Sequence, residues 1–174
     1  MTAPADLLVL AASNGENLKL AERFATAGRE RGLTVEVLDL TTINMPLYNP
    51  RTHAEAGIPE AVIHLSHQLE KASHWVICAP EYNGSIPPVL TSAIAWLSVQ
   101  GGDFRGLFNE RPIAIATHSG GGGHSVPTAL RLQLAYLGAQ VVGRQLVSNR
   151  AKPAKAGSIA DLLARLHTMA PINM

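Results

Sequence analysis

The sequence predicts an α/β fold in three layers, a doubly wound sheet of five parallel strands in the order 2-1-3-4-5. Three observations predict it. Five short, mostly apolar runs recur along the chain, each bounded by Gly, Pro or polar residues, as strands buried on both faces require. Stretches with helical spacing separate the runs. The alternation repeats five times, and the right-handed crossover rule turns such a repeat into a sheet covered by helices on both sides. Alternation alone does not fix the strand order; 2-1-3-4-5 is chosen as one of the two common doubly wound arrangements.

The first strand is placed at residues 7–12 and leads into a helix whose Leu18, Ala21, Phe24, Ala25 and Gly28 share one face, with Gly32 as the left-handed residue that ends it. The second strand covers residues 33–38. Residues 45–58 hold two prolines and few periodic apolar positions, so they read as a long surface loop beside that strand's carboxyl end. A helix over 59–71 turns Val62, Leu65 and Leu69 inward, ahead of a third strand at 75–79. The next helix starts at Pro87-Pro88, because proline fits a first turn, and runs through Leu90, Ala93, Ile94 and Leu97. The fourth strand, 113–117, precedes a helix carrying Ala129, Leu130, Leu134 and Leu137 that stops at Gly138. The fifth, 139–142, precedes a last helix opened by a Ser158-to-Asp161 capping pattern ahead of Leu162, Leu163 and Leu166. No repeat, low-complexity tract or linker divides the chain, so residues 1–174 read as one domain.

Composition limits the function classes. Of 174 residues, 47% are hydrophobic and 16% charged, which excludes disorder and leaves surface for a partner subunit to cover. Fourteen basic residues balance thirteen acidic ones, without a Lys/Arg block that would neutralise a run of phosphates, so nucleic acid is not an expected partner. Cys78 is the single cysteine and cannot form an internal disulfide. With no basic stretch ahead of the first apolar run, and no run near the roughly 18 residues needed to span a bilayer, a cytoplasmic protein off the membrane is expected. In that setting the glycosylation pattern at Asn83-Gly84-Ser85 is accidental.

In an open parallel sheet, ligands bind outside the carboxyl ends of the strands. Three unusual loops fall there. The first, Ser13-Asn14-Gly15-Glu16-Asn17-Leu18-Lys19, runs straight into a helix. Its free N–H groups, the Ser13 and Asn17 side chains and the dipole suit a phosphate, and equally Ser13 or Asn14 could simply cap the helix. The second is Pro80-Glu81-Tyr82-Asn83-Gly84-Ser85-Ile86-Pro87-Pro88, where Asn83-Gly84 permits a turn with positive φ and the prolines stiffen both ends. Such a loop holds backbone groups fixed against a planar ring, or serves only as a stiff connector. The third contains Ser119-Gly120-Gly121-Gly122-Gly123 between His118 and His124. Without Cβ atoms the glycines let something flat or anionic approach the chain, or leave the loop flexible and empty.

Other chemistries fit less well. The glycine run is not a dinucleotide fingerprint, and neither a Walker A sequence nor a G-x-S-x-G elbow occurs. His64 and His67 lie one turn apart without a third ligand, so no metal is expected there. His118 and His124 are weak candidates for proton donors, since a lone loop histidine more often faces solvent. Cys78 has no charged sequence neighbour and reads as inert.

Together the loops resemble the NADPH-dependent FMN reductase family, whose members have a flavodoxin-like fold and include quinone, azo-dye and chromate reductases. The most specific part is Pro80-Glu81-Tyr82-Asn83-Gly84-Ser85-Ile86-Pro87 with Leu90, Ala93-Ile94 and Trp96 behind it, similar to the family's P-E-Y-N-x-S-x-P loop and following helix. The resemblance implies that Ser13, Asn17, Leu18, Lys19 and the helix start hold the phosphate of FMN. It implies that Pro80, Glu81, Tyr82 and Asn83 line one side of the isoalloxazine, and Ser119, Gly120, Gly121 and Gly122 its pyrimidine side. No catalytic side chain is then required. The donor is NADPH or NADH, and the acceptor a quinone or similar small molecule. The chain departs from the family at Ala12 and Gly15, where Gly and Arg are common, so that either Lys19 replaces the missing guanidinium or the flavin is held less tightly. It departs again at Thr91, Ser92 and Ala95, where Lys, Asn and Asp are frequent. The alternatives are a flavodoxin-type electron carrier, which the net charge of +1 disfavours, and a flavin-free partner subunit. The Trp96-Leu97 helix, the Tyr82 loop and the low charge lead us to expect a homodimer with the flavin near its interface, or a tetramer of such dimers.

Overall fold

The structure, a computed structural model, describes residues 5–170. Its elements are β1 (Leu7–Ala11), α1 (Glu16–Arg29), β2 (Val35–Asp39), a single 3₁₀ turn (Leu40–Thr42), α2 (Pro50–Ala56), α3 (Glu60–Glu70), β3 (His74–Cys78) and α4 (Pro88–Ser98). They continue through β4 (Pro112–His118), α5 (Ser125–Tyr136), β5 (Gln140–Val141), β6 (Leu146–Ser148) and α6 (Ala156–His167). All strands are parallel, in the order β2-β1-β3-β4-β5, with β6 also paired to β4. Leu7 stands level with Val35 and His74, and Trp75 with Ile113, so the carboxyl ends of the central strands form one rim.

The apolar strands divide by parity, because successive side chains point to opposite faces. Leu8, Leu10, Trp75, Ile77, Ile113 and Ile115 pack under α3, α4 and α5. Leu7, Val9, Val76, Cys78, Ala114 and Ala116 pack under α1 and α6. On the latter side Gly28 brings α1 against the sheet: a Cβ there would lie 2.9 Å from Val35 Cγ2. No helix of the described residues is long and apolar enough to cross a membrane.

Four expectations change. The fifth strand is two pieces: β5 pairs with Pro112 and Ile113, the chain leaves the sheet at Gly143, and β6 returns beside Ala116, Thr117 and His118. Three residues are too few to show a period, so β6 left no pattern in the sequence.

Residues 45–58 are not all loop but contain α2, opened by Asn49 Oδ1 accepting from Arg51 N–H with Pro50 in the first turn, and closed at Gly57 (φ 74°). Trp96, expected at a subunit interface, is instead fully buried and holds this segment down. Its indole N–H donates to Pro46 O at 2.8 Å, and its ring meets Tyr48 and His53 edge-on. Leu97 is buried with it, so that helix presents neither side chain to a partner.

Finally, Ser158 caps nothing. The chain enters α6 at Lys155, three residues earlier than the pattern implied, and the Asp161 carboxylate accepts instead from Arg144 and Arg165.

Candidate functional site

Hydrogen bonds that prolong the ladder bring the three loops to one place. Ala12 N–H donates to Cys78 O, Ala79 N–H to Ala116 O and Ser119 N–H to Ser148 O, so the chain past β1, β3 and β4 stays in sheet contact before each loop turns away.

In the first loop the capping alternative fails. Gly15 occupies the position before α1 and no side chain caps it; Gly15 O accepts from Leu18 and Lys19 N–H. The N–H groups of Glu16 and Asn17 find no protein acceptor among the described residues, the condition in which a helix start takes an anion. Asn17 differs from the expectation. It is buried, its carboxamide donates to His118 O at 2.9 Å and accepts from His118 N–H at 2.8 Å, and so its side chain joins two loops. Ser13 is half-buried at the rim, Leu18 half-buried behind it, and Lys19 exposed. Lys19 Nζ lies 2.6 Å from Glu16 Oε1. That hydrogen bond, with the charge behind it, holds the Glu16 carboxyl below its ordinary range, so it is an anion at neutral pH. A phosphate at this helix start meets Glu16 as well as Lys19.

In the second loop Asn83 (φ 51°) and Gly84 (φ 71°) both take left-handed backbone, and Tyr82 and Ser85 exchange N–H···O bonds of 3.1 and 3.0 Å around them. Two consecutive left-handed residues define the primed hairpin turn that Asn-Gly favours. Pro80 is buried, and the Tyr82 side chain stands half exposed above it. Glu81 reaches across: its Oε2 accepts from Ser125 N–H at 2.9 Å and Val126 N–H at 3.2 Å, so its carboxylate closes the start of α5. Nothing in the local sequence shows this bond, which spans 44 residues.

In the third loop Ser119 is buried and its Oγ accepts from Gly121 N–H, while Asn149 Nδ2 donates to Gly121 O. The four glycines are not equivalent. Gly123 has φ 65°, and a Cβ there would lie 3.0 Å from Ser119 Cβ and 3.3 Å from Val147 Cγ1, so the backbone itself demands glycine. At Gly120 and Gly121 an added Cβ meets nothing within 4 Å. Those two glycines face open space, the opening a flat ring needs. His118 is half-buried with Nδ1 3.4 Å from Ser148 Oγ, and His124 is exposed. Thr117 Oγ1, on the strand below, is buried without a partner among the described residues. Cys78 lies fully buried, and burial pushes its thiol up, so it is neutral and unreactive. Among the described residues no group of three or more His, Cys, Asp or Glu could hold a metal ion.

The rim thus offers free helix N–H groups beside the Lys19–Glu16 pair, a rigid turn, and a strip of backbone without side chains. These residues fit a planar ring with an anionic tail.

Comparison with known proteins agrees. Residues 5–153 match the sequence profile of the family described as NADPH-dependent FMN reductase. A quinone reductase of Escherichia coli (strain K12) is 31% identical over 156 residues, covering 85% of this chain and 78% of that protein. The flavoenzyme NAD(P)H:(acceptor) oxidoreductase FerB from Paracoccus denitrificans superposes with a TM-score of 0.75 at 20% identity, over 94% of this chain and 98% of its own. An azoreductase from Bacillus anthracis str. Sterne gives 0.65 at 23% identity, over 97% of each chain. The last two show the flavodoxin-like fold. The profile match and the quinone reductase go further, and the chain belongs to the NADPH-dependent FMN reductase family of oxidoreductases.

Proposed function

We propose that the protein oxidises NADPH or NADH and reduces a quinone or similar small acceptor in two successive half-reactions at one open face. Bound FMN would supply the two-electron chemistry that links the nicotinamide to the acceptor. The chain's own part is binding and positioning. The start of α1, with the N–H groups of Glu16 and Asn17, Ser13 and Lys19, holds the phosphate. The Pro80–Asn83 turn fixes one edge of the ring, and the backbone of Ser119, Gly120, Gly121 and Gly122 lies along the other. Backbone N–H groups held this way stabilise negative charge without being protonated or consumed. Neither His118 nor His124 is required as an acid.

The observation that carries this reading is the open Gly120-Gly121 backbone beside an uncapped helix start on the same rim. The open space at Gly120 and Gly121 would leave donor and acceptor the same approach in turn, which would make the kinetics ping-pong. The half-exposed Tyr82, with Leu47 exposed on the segment after β2, is apolar surface that a second copy would cover in a homodimer.

An anaerobic spectrum tests the function. Protein mixed with FMN and freed of excess should be yellow, and NADPH or NADH should bleach it within seconds. Flavin bound but not bleached would make the protein a carrier, and protein left colourless would make it a flavin-free partner subunit. Parallel double-reciprocal lines against a benzoquinone acceptor are expected; intersecting lines would refute the alternating mechanism.

A further inference from the structure

Charge is divided unequally along this chain. Residues 1–110 carry seven Lys/Arg against twelve Asp/Glu, whereas residues 111–160 carry six Lys/Arg and no Asp or Glu at all. The fold gathers part of this surplus beside the glycine loop. His124, Arg144, Lys152 and Ser158 line a cavity of about 350 Å³ with Val147 at its wall, and Val147 is the side chain that Gly123 approaches. The cavity therefore borders the loop assigned to the ring.

Its electrostatics favour an anion. Arg144 is 2.8 Å from Asp161, but the same carboxylate also pairs with Arg165 at 3.0 Å, so one negative charge faces two guanidinium groups. Among the described residues no carboxylate lies within ion-pair distance of Lys152. His124 adds a ring N–H. The first turn of α6 contains Ser158, no acid and no capping side chain, so its dipole adds the same sign. A guanidinium and an ammonium converging on one opening suit a tetrahedral dianion better than a carboxylate.

We propose that this cavity is a phosphate subsite, distinct from the one at α1, and that the phosphate monoester it takes is the 2′-phosphate of the nicotinamide donor. The proposal rests on the reading above for its donor, and on the cavity alone for its chemistry. Free orthophosphate carries the same group and is the other source the test must separate.

The test compares flavin-loaded protein with its Lys152→Gln and Arg144→Gln variants, and with Lys71→Gln as a distant charge control. Orthophosphate titrated by ³¹P NMR should broaden with the parent and the control, and not with Lys152→Gln. KM for NADPH should rise about tenfold in Lys152→Gln, the loss of one charge-assisted contact, with KM for NADH and kcat unmoved. Loss of phosphate broadening with both KM values unchanged would support the subsite but assign it to free orthophosphate. Equal broadening in parent and variants, or an equal rise of both KM values, would overturn the subsite, the second result showing only long-range steering. If the protein takes no flavin, the same titration on colourless protein still reads Lys152 against the parent, so failure of the flavin reading is told apart from failure of the cavity.

Discussion

The buried carboxamide of Asn17 and the backbone of His118 exchange two hydrogen bonds across 101 residues of sequence, joining the start of α1 to the end of β4. One buried side chain satisfies both the N–H and the C=O of half-buried His118, and in doing so joins the phosphate loop to the glycine loop. Replacing Asn17 with Ala leaves both groups unpaired, at about 1–3 kcal/mol for each buried group left without a partner. Thermal or urea unfolding should show a loss of roughly 2–4 kcal/mol, and FMN affinity should fall with it because the loops separate. An Asn17→Ala protein as stable as the parent would show that these bonds contribute nothing.

Glu81 gives a second long-range connection. Its carboxylate accepts from the first two N–H groups of α5, Ser125 and Val126, in place of a cap from within that helix. Caps of this kind contribute about 0.5–2 kcal/mol, and a carboxylate also answers the dipole. Glu81→Ala should therefore lower stability by about 1 kcal/mol, with Glu81→Gln intermediate because it keeps the acceptor and loses the charge. Urea midpoints of the two variants decide this. Identical midpoints for parent and Glu81→Ala would mean that water serves α5 equally well.

These two contacts mark where the sequence stopped being legible. Asn83-Gly84, Pro80, Pro87-Pro88 and the glycine run act within a few residues, through φ preference and ring rigidity, and could be read directly. The apolar runs and helical spacings are equally local, so the three layers could be argued from them, whereas the strand order could not. The pairing of Asn17 with His118 and of Glu81 with α5 depends on which strands become neighbours, and no periodicity encodes it. The same holds for β6, three residues long, and for Asn149, which follows it and reaches Gly121 O. Residues 45–58 depart from the expected loop for another reason. Asn49-Pro50 and Gly57 are local start and stop signals, but α2 buries no residue of its own, so the amphipathic pattern that would have connected them is missing. Trp96 departs in the opposite direction: an aromatic on an apolar helix predicts an interface, whereas its indole N–H has a partner at Pro46 inside the same chain.

Acid should weaken one end of the sheet through Asp6. Thr34 donates to the Asp6 carboxylate from both its hydroxyl and its backbone N–H, joining the starts of β1 and β2, and these bonds hold the carboxyl below its ordinary range. A carboxyl lowered on folding contributes stability that is fully present above its unfolded pKa and is lost as pH falls through the folded value. The difference in Tm between the parent and Asp6→Asn should thus be constant from neutral pH down to about 5 and shrink below about 4, the ordinary value of an unfolded aspartate, as pH falls on through the lower value of the folded one. Comparing the two proteins at each pH removes the contribution of the other lowered carboxyls, Glu16 and Asp161. A difference that persists unchanged at pH 3 would mean the Thr34 bonds do not depend on charge.

The glycine loop allows function to be separated from folding within three residues. At Gly121 a new side chain enters open space, so Gly121→Val should fold with a Tm near that of the parent and lose FMN affinity by tenfold or more, because its methyls occupy the ring's approach. At Gly123 the backbone is left-handed and the Cβ contacts are 3.0 and 3.3 Å, so Gly123→Val combines about 1–2 kcal/mol of backbone strain with overpacking against Ser119 and Val147. It should lower Tm by several degrees. Fluorescence quenching of FMN and thermal unfolding, measured on both variants, check the pair. If Gly121→Val binds FMN as the parent does, the ring does not lie over this strip, whatever the stability of Gly123→Val.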